Sequence, residues 1–252
     1  MSERSARSAI AVMAKAPVPG RVKTRLVPPL TPAQATALNA AFLRDVTANI
    51  AAAAALRPID GFVAYAPASG AGGFAGMLAP GTGLLLADGE IAMDPAIRGI
   101  GRSLLHAAGA LLGRGYTSAI LVNSDSPSLP NALLIEAHDR LAAPGDRVVL
   151  GPAEDGGYYL IGLKSPHAAL FAEIPWSTAA VSGATLARAA ASAVACATLP
   201  PWFDVDDAAS LARLARELAV PPEGPLRPFP APATRAFLGE PDRAGGGPAE
   251  AG

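Results

Sequence analysis

The chain has 252 residues, a length that allows one large domain or two small ones, and 51% of its residues are hydrophobic against 16% charged. This composition excludes a disordered polyelectrolyte and is typical of a globular chain with much buried β-structure. The formal net charge is −1, from 20 basic and 21 acidic residues, so no overall field draws the chain to nucleic acid or to an anionic lipid surface.

The cysteine and histidine content restricts metal chemistry. A single cysteine, Cys196, excludes an internal disulfide framework and every multi-cysteine metal site. The three histidines are scattered and form no H-E-x-x-H pair, which gives zinc chemistry little support.

The apolar run 9–14 is too short for a signal-peptide core, and the alanine-rich run 48–56 is too short for a membrane span. We therefore expect a soluble cytoplasmic protein.

Strand-like and helical patterns alternate along the chain. The runs predicted as strands are 8–14, 60–66, 84–87, 119–123, 147–151, 158–163 and, more weakly, 196–199. The first predicted helix begins with the capping box and proline of Thr31-Pro32-Ala33-Gln34, and apolar residues then recur every four positions at 38, 42, 46 and 50. Further helices are predicted at about 97–112, 130–141, 178–193 and 208–218.

This alternation predicts an α/β fold with a mainly parallel sheet covered on both faces, in which ligands bind at the carboxyl ends of the strands. The chain contains neither an internal repeat nor a long linker, so we expect a single domain over residues 1–220. Residues 221–252 are rich in Pro, Gly and Ala and are predicted to form a partly ordered tail, of which 233–238 could dock back.

A basic loop follows the first strand directly. It contains four cations within eleven residues, Lys15, Arg21, Lys23 and Arg25, on a segment stiffened by two prolines and released by one glycine. Such a loop can surround a pyrophosphate, because Arg makes bidentate contacts and Lys supplies a point charge. It is not a Walker A loop, since valine precedes Lys23-Thr24. A solvated basic turn is the alternative interpretation.

Two distant aspartates are candidate metal ligands. Asp125 ends a buried apolar strand, a position at which Mg²⁺ or Mn²⁺ is held against nucleotide phosphates, although an aspartate there can also cap a helix or form an Asx turn. Asp206 and Asp207 precede the last predicted helix. If Asp207 caps that helix, Asp206 is free to complete a two-carboxylate site with Asp125; in the alternative, Asp206 is the cap.

A third segment, 151–159, places two acids before two glycines. Gly156 and Gly157 let the backbone approach a ligand closely, and Glu154 or Asp155 could act as a general base or bind the acceptor. A tight turn with solvated acids is the alternative. Trp176 lies beside a predicted helix start, where stacking on a sugar or base competes with ordinary core packing.

Together these segments resemble one known family. The runs A-K-A-P-V-P-G-R-V-K-T-R-L, N-S-D-S-P-S-L, V-L-G-P-A-E-D-G-G-Y-Y-L-I-G-L, I-P-W-S-T and W-F-D-V-D are similar in content and order to the bacterial DUF2064 proteins of the GT-A, nucleotide-diphospho-sugar transferase superfamily. Some members of that family are labelled arsenosugar-biosynthesis glycosyltransferases. The resemblance spans about residues 9–218.

The resemblance implies a three-layer GT-A fold with a mixed, mostly parallel sheet. It also implies that the four cations of the basic loop hold the nucleotide and its pyrophosphate, that Asp125 and Asp206 hold Mg²⁺ or Mn²⁺, and that Glu154 and Asp155 face the acceptor. The chain departs from its relatives at residues 98–102, where the usual Gly-Asp-Leu-Gly-x-Arg segment lacks its acid. Ser126 stands where relatives commonly have cysteine, and Asp207 where they have threonine.

The implied activity is a metal-dependent glycosyltransferase that moves a sugar from a nucleoside diphosphate donor to a small-molecule acceptor. An alternative is a nucleotidylyltransferase that resembles the phospholactate guanylyltransferases, in which an acceptor phosphate attacks a nucleoside triphosphate. A nucleotide-sensing protein that has lost its chemistry is a third hypothesis. The sequence leaves open the base, the sugar, the acceptor and the oligomeric state.

Overall fold

The computed structural model describes residues 6–239, which form one mixed sheet of seven strands between two layers of helices. The strands are β1 (Ser8–Ala14), β2 (Ile59–Tyr65), β3 (Gly83–Leu86), β4 (Ser118–Asn123), β5 (Val148–Pro152), β6 (Tyr158–Leu163) and β7 (Cys196–Thr198). Their order across the sheet is β3-β2-β1-β4-β6-β5-β7, and β6 alone runs opposite to the others. The predicted mixed, mostly parallel sheet is confirmed.

Strand β1 occupies the middle of the sheet and is buried on both faces, which explains its continuous apolar sequence. Ile10 and Val12 point into one core and Ala9 and Ala11 into the other, as alternate side chains of a strand must. The larger residues face the core that the first, third and fifth helices cover. The alanines face the second core, where a close-packed helix leaves less space.

The α-helices are α1 (Pro32–Ala54), α2 (Ile100–Gly113), α3 (Asn131–Ala142), α4 (Val181–Ala191), α5 (Ala208–Ala219) and α6 (Pro232–Gly239). Helix α1 begins with the predicted capping box: the Thr31 hydroxyl accepts from the Gln34 N–H at 3.2 Å, and the Gln34 side chain accepts from the Thr31 N–H at 2.8 Å. The apolar positions predicted from the four-residue spacing, 38, 42, 46 and 50, are all buried.

Two helices begin later than their sequences predict. Helix α2 starts at Ile100, because Ile97 forms a bridge with Ala172 and Gly99 adopts a φ of +55° that an α-helix does not contain. Helix α4 starts at Val181, because the Thr178 hydroxyl donates to the Pro175 carbonyl and holds the preceding residues in a turn. Both displaced starts border the same edge of the sheet.

The last described segment docks on α1. The Asp45 carboxylate of α1 accepts from the N–H groups of Ala233 at 2.9 Å and Thr234 at 2.7 Å, so it satisfies the free donors at the start of α6. Phe237 is buried on the same side. The predicted docking segment is therefore a helix, whereas residues 240–252 of the predicted tail lie outside the described residues. Among the described helices, none is long and apolar enough to cross a membrane.

Candidate active site

A cavity of about 800 Å³ opens at one edge of the sheet. The carboxyl ends of β1, β2 and β4 form its floor, and the start of β6 reaches the same edge because that strand is antiparallel. The basic loop, the start of α2 and residues 176–181 form its walls. The cavity therefore lies where open α/β sheets bind their ligands.

The basic loop contributes all four of its cations to the cavity wall: Lys15, Arg21, Lys23 and Arg25. Lys23 has a left-handed backbone, with φ 50° and ψ 37°, and precedes a short 3₁₀ turn, Thr24–Leu26, that the buried side chain of Leu26 anchors. This conformation places the Lys23 side chain inward, where it is only 5% exposed, while the neighbouring Arg25 side chain is 78% exposed.

Lys23 is the centre of a charge network. Its Nζ lies 2.9 Å from Asp125 Oδ1 and 3.3 Å from Asp206 Oδ1, and it donates to the Val205 carbonyl at 2.5 Å. Arg25 Nη1 lies 3.8 Å from Asp206 Oδ2. The two aspartates that the sequence singles out therefore meet at one cation, although they are far apart in the chain.

Backbone and hydroxyl contacts fix this meeting point. The Val205 N–H donates to the Asp125 carbonyl at 2.9 Å, and the Ser126 hydroxyl donates to the Phe203 carbonyl at 3.0 Å, so the segment before α5 lies against the end of β4. Ser126 thus has a structural contact of its own.

The helix cap of α5 decides between the two interpretations of the neighbouring acids. Asp207 is the N-cap and accepts from the Ser210 N–H at 2.8 Å. Asp206 is left free to line the cavity, where its side chain is 41% exposed. Asp207 is therefore the cap of α5, and Asp206 lines the cavity.

The carboxylates fit a divalent cation that takes further ligands from a bound nucleotide. The described residues contain no group of three or more His, Cys, Asp or Glu side chains that could enclose a metal. Asp125 and Asp206 nevertheless share one cationic partner, the Lys23 ammonium. Mg²⁺ commonly uses one or two carboxylates and completes its shell with phosphate oxygens and water.

A further acid, Asp204, lies in the same cluster but is not among the predicted site residues. Burial, together with the negative charges of Asp155, Asp206 and Asp125, raises the pKa of its carboxyl to about 6. The sequence does contain a signal: Asp204 and Asp206 flank the buried Val205, so in an extended segment both acids project to the side opposite the core.

The two acids of residues 151–159 separate. Asp155 lines the cavity, and its Oδ1 accepts from the Gly157 N–H at 2.8 Å. Glu154 is not among the lining residues; its Oε2 lies 2.6 Å from Arg213 Nη1 on α5. Glu154 therefore lies outside the cavity wall, where Arg213 holds its carboxylate.

The two glycines of this segment also differ. Gly157 lines the cavity, as expected of a glycine near a ligand. Gly156 does not; it has φ +90°, and a Cβ there would lie 2.1 Å from the Ala179 carbonyl oxygen. Gly156 therefore allows the chain to pack closely against Ala179.

Trp176 is packed against neighbouring residues and also lines the cavity. It packs edge-on against Tyr158, with ring centroids 6.3 Å apart, and both rings line the cavity. It also covers the start of α2, where a Cβ on Gly101 would lie 2.8 Å from the indole. The segment that lacks the acid of its relatives is therefore the surface on which Trp176 rests.

The fold and sequence match known proteins. A family model described as an uncharacterized protein conserved in bacteria (DUF2064) matches residues 49–178, more than half of the chain. A crystal structure from Desulfovibrio desulfuricans G20, provisionally named a nucleotide-diphospho-sugar transferase, is 28% identical and has a TM-score of 0.75; the alignment covers 94% of this chain and 96% of that one.

A second similar structure is that of CMP:2-keto-3-deoxy-manno-octonic acid synthetase in complex with CTP. It is 10% identical, with a TM-score of 0.52 over 84% of this chain and 98% of that one, and so shows a shared fold only. No curated protein matches the chain. Because the family model covers more than half of its residues, the chain belongs to the DUF2064 family.

Proposed function

We propose that this protein is a divalent-metal-dependent glycosyltransferase that moves a sugar from a nucleoside diphosphate donor to a small acceptor. The observation that carries the proposal is the convergence of Asp125 and Asp206 on the Lys23 ammonium in the wall of the cavity. The name given to the Desulfovibrio relative, which is similar over nearly the whole chain, supports the same class of donor.

The leaving diphosphate needs positive charge, and the cavity supplies it from one side. Mg²⁺ or Mn²⁺ held by Asp125 and Asp206 would stabilise the charge that develops on the diphosphate. Arg25 is exposed at the same place and can bind phosphate oxygens in a bidentate manner. Lys15 and Arg21 extend the positive surface along the loop, where a nucleotide can approach from solvent.

The acceptor side of the cavity contains one well-placed base. The Oδ1 atom of Asp155 is engaged by the Gly157 N–H, which fixes the orientation of the carboxylate and leaves Oδ2 to accept a proton from an acceptor hydroxyl. The aromatic rings of Tyr158 and Trp176 stand beside it and offer an apolar surface for the acceptor or the transferred sugar.

The test is the release of nucleoside diphosphate from a panel of nucleotide sugars with Mn²⁺ or Mg²⁺. A thermal-shift panel run first selects the donor and cation, because a ligand that binds only the folded state raises the melting temperature. Asp125→Asn should lower turnover at least about 100-fold, while the melting temperature of the apo protein falls by no more than the loss of one partly exposed ion pair allows, about 2–4 °C.

Glu154→Gln is the matched control. Glu154 lies next to Asp155 in the chain but binds Arg213, so this variant should keep its turnover. Undiminished turnover in Asp125→Asn would contradict the proposal. Binding of a nucleotide sugar by the wild type without any turnover across the panel would favour a sensing role instead.

Nucleotidyl transfer is the second candidate, and the number of cations favours it. Four cationic side chains line one cavity, and once a divalent cation neutralises Asp125 and Asp206 their charge would match that of a nucleoside triphosphate. The same carboxylates would then hold the cation that bridges the phosphates. The product separates the two reactions: inorganic pyrophosphate from a triphosphate indicates nucleotidyl transfer, and nucleoside diphosphate from a nucleotide sugar indicates glycosyl transfer.

A further inference from the structure

Helix α1 carries four polar side chains that are fully or almost fully buried, and three of them have clear structural contacts. Asp45 caps α6, Thr47 accepts from the Ala79 N–H at 3.0 Å, and Asn49 donates to the Leu129 carbonyl at 2.7 Å. Each of these three ties α1 to another segment of the fold, as a buried polar group normally must.

Asn39 is the exception among the four. It is 5% exposed, its Oδ1 is buried without a partner, and its carboxamide makes no hydrogen bond to any described residue. It is also the one of the four that lines the cavity. A buried amide without a partner destabilises the folded protein, so its presence needs an explanation that the apo structure does not contain.

The position of Asn39 indicates which part of a ligand it meets. It precedes Phe42 by three residues and therefore lies on the same side of α1. The ring centroid of Phe42 lies 5.3 Å from Lys23 Nζ. Asn39 is thus beside the end of the cavity where Lys23, Asp125 and Asp206 meet, rather than on the side formed by Tyr158 and Trp176.

We infer that the Asn39 carboxamide is a binding group for the diphosphate of the donor, to which its N–H donates beside Lys23. The inference rests on the proposed function and extends it by one residue. A neutral amide suits this place, because it adds a directional donor to phosphate oxygen while leaving the charge balance to the loop and the carboxylates. The unpartnered atom in the structure is the oxygen, which a phosphate cannot satisfy; a half-turn about the Cβ–Cγ bond exchanges the oxygen and nitrogen, and the nitrogen then donates to the ligand.

The experiment is isothermal titration of the wild type and variants with ADP, GDP, UDP and CDP in the presence of Mn²⁺, using the diphosphate that the wild type binds most tightly. Asn39→Ala should weaken binding by about 10- to 100-fold. Asn39→Asp should weaken it further, because a carboxylate has no donor and repels phosphate. Asn39→Ser, which retains a small donor, should fall between wild type and Asn39→Ala and serves in its place if that variant does not fold.

The melting temperature of each apo variant separates binding from stability. Asn39→Ala should melt no lower than the wild type, since it removes an unpartnered buried group. The control Asn49→Ala should melt lower, because it loses the bond to Leu129, yet should keep the wild-type affinity.

Three outcomes overturn the inference. Wild-type affinity in Asn39→Ala shows that the carboxamide does not bind the diphosphate. Tighter binding by Asn39→Asp than by Asn39→Ala shows that the side chain accepts a hydrogen bond rather than donating one. If the wild type binds none of the four diphosphates, the proposed function itself is wrong, and the inference is lost with it for that distinct reason.

Discussion

Replacing Lys23 by methionine tests the charge network directly. Methionine keeps an unbranched side chain that can lie against Phe42 but removes the ammonium. Asp125 and Asp206 then lose the cation they share, and the Val205 carbonyl loses its donor. The apo variant should therefore be less stable than the wild type, and it should gain more from a divalent cation, because no ammonium competes for the two carboxylates.

The size of the effect follows from the exposure of the partners. Hydrogen bonds to a charged group contribute about 1.5–3 kcal/mol, and exposed ion pairs contribute about 0–1 kcal/mol. Since the two carboxylates are 31% and 41% exposed, water replaces much of the lost pairing. We expect a loss of about 2 kcal/mol in the free energy of unfolding, which lowers the melting temperature by about 4–8 °C in a chain of this size.

Urea unfolding and thermal melts with EDTA or with MnCl₂ measure both effects. At a free Mn²⁺ concentration of 100 times its Kd, a bound cation adds about 2.7 kcal/mol to the stability. The Lys23→Met variant should show this gain at a lower Mn²⁺ concentration than the wild type. The double variant Lys23→Met/Asp125→Asn should not show it. A Mn²⁺ response that is equal in the single and double variants would refute the two-carboxylate site.

Three further predictions concern a close backbone contact, a helix cap and a buried histidine. Gly156→Ala should lower the free energy of unfolding by about 1–3 kcal/mol or more, because the new Cβ would clash with backbone at a residue with positive φ. The control Gly183→Ala in α4 should be neutral or stabilising, because its Cβ would meet nothing within 4 Å. Equal effects of the two variants in urea unfolding would contradict this prediction. Asp207→Ala should lower stability by about 1 kcal/mol and leave Mn²⁺-dependent diphosphate binding intact. Asp206→Asn should weaken that binding and have the smaller effect on stability. Thermal melts measure the stability and calorimetry measures the binding. Burial lowers the pKa of His138 below 6.5, so the unfolded chain binds more protons at this residue than the folded chain. The contribution of His138 to stability should be complete above pH 6.5 and should fall as the pH drops toward the folded pKa. His138→Gln should reduce this slope of stability against pH, and an unaltered slope would show that the imidazole is not buried in its neutral form.

The sequence patterns located the strands and helices well but left the direction of β6 unspecified. The apolar run of a buried strand does not indicate whether the strand is parallel or antiparallel to its neighbours. The connection does indicate this, because only a few residues separate the predicted strands 147–151 and 158–163, whereas a parallel pair needs a crossover of a dozen or more residues. The hairpin of β5 and β6 was therefore predictable from loop length alone. It brings the start of β6, with Tyr158, to the cavity edge.

The candidate site divides into residues that local sequence indicates and residues that it does not. Asp125 follows a strand and Lys23 lies in a charged loop, so position and composition both point to them. Asn39 lies inside an amphipathic helix, where the spacing indicates a buried face but not what that face borders. The loss of Glu154 from the site depends on Arg213, a residue of a different helix, and no local pattern predicts that pairing.

The charge balance of the site explains why nucleotide and cation binding should depend on each other under the proposed function. In the structure the positive charges of Lys23 and Arg25 match the negative charges of Asp125 and Asp206, so the network is neutral by itself. If Lys23 turned to a phosphate alone, it would leave two neighbouring carboxylates unpaired. A divalent cation bound by the two carboxylates removes that cost. By thermodynamic linkage, if the cation raises the affinity for the nucleotide, the nucleotide raises the affinity for the cation by the same factor. The affinity for a nucleoside diphosphate should therefore rise with Mn²⁺ in the wild type, and this dependence should disappear when either aspartate is replaced by asparagine.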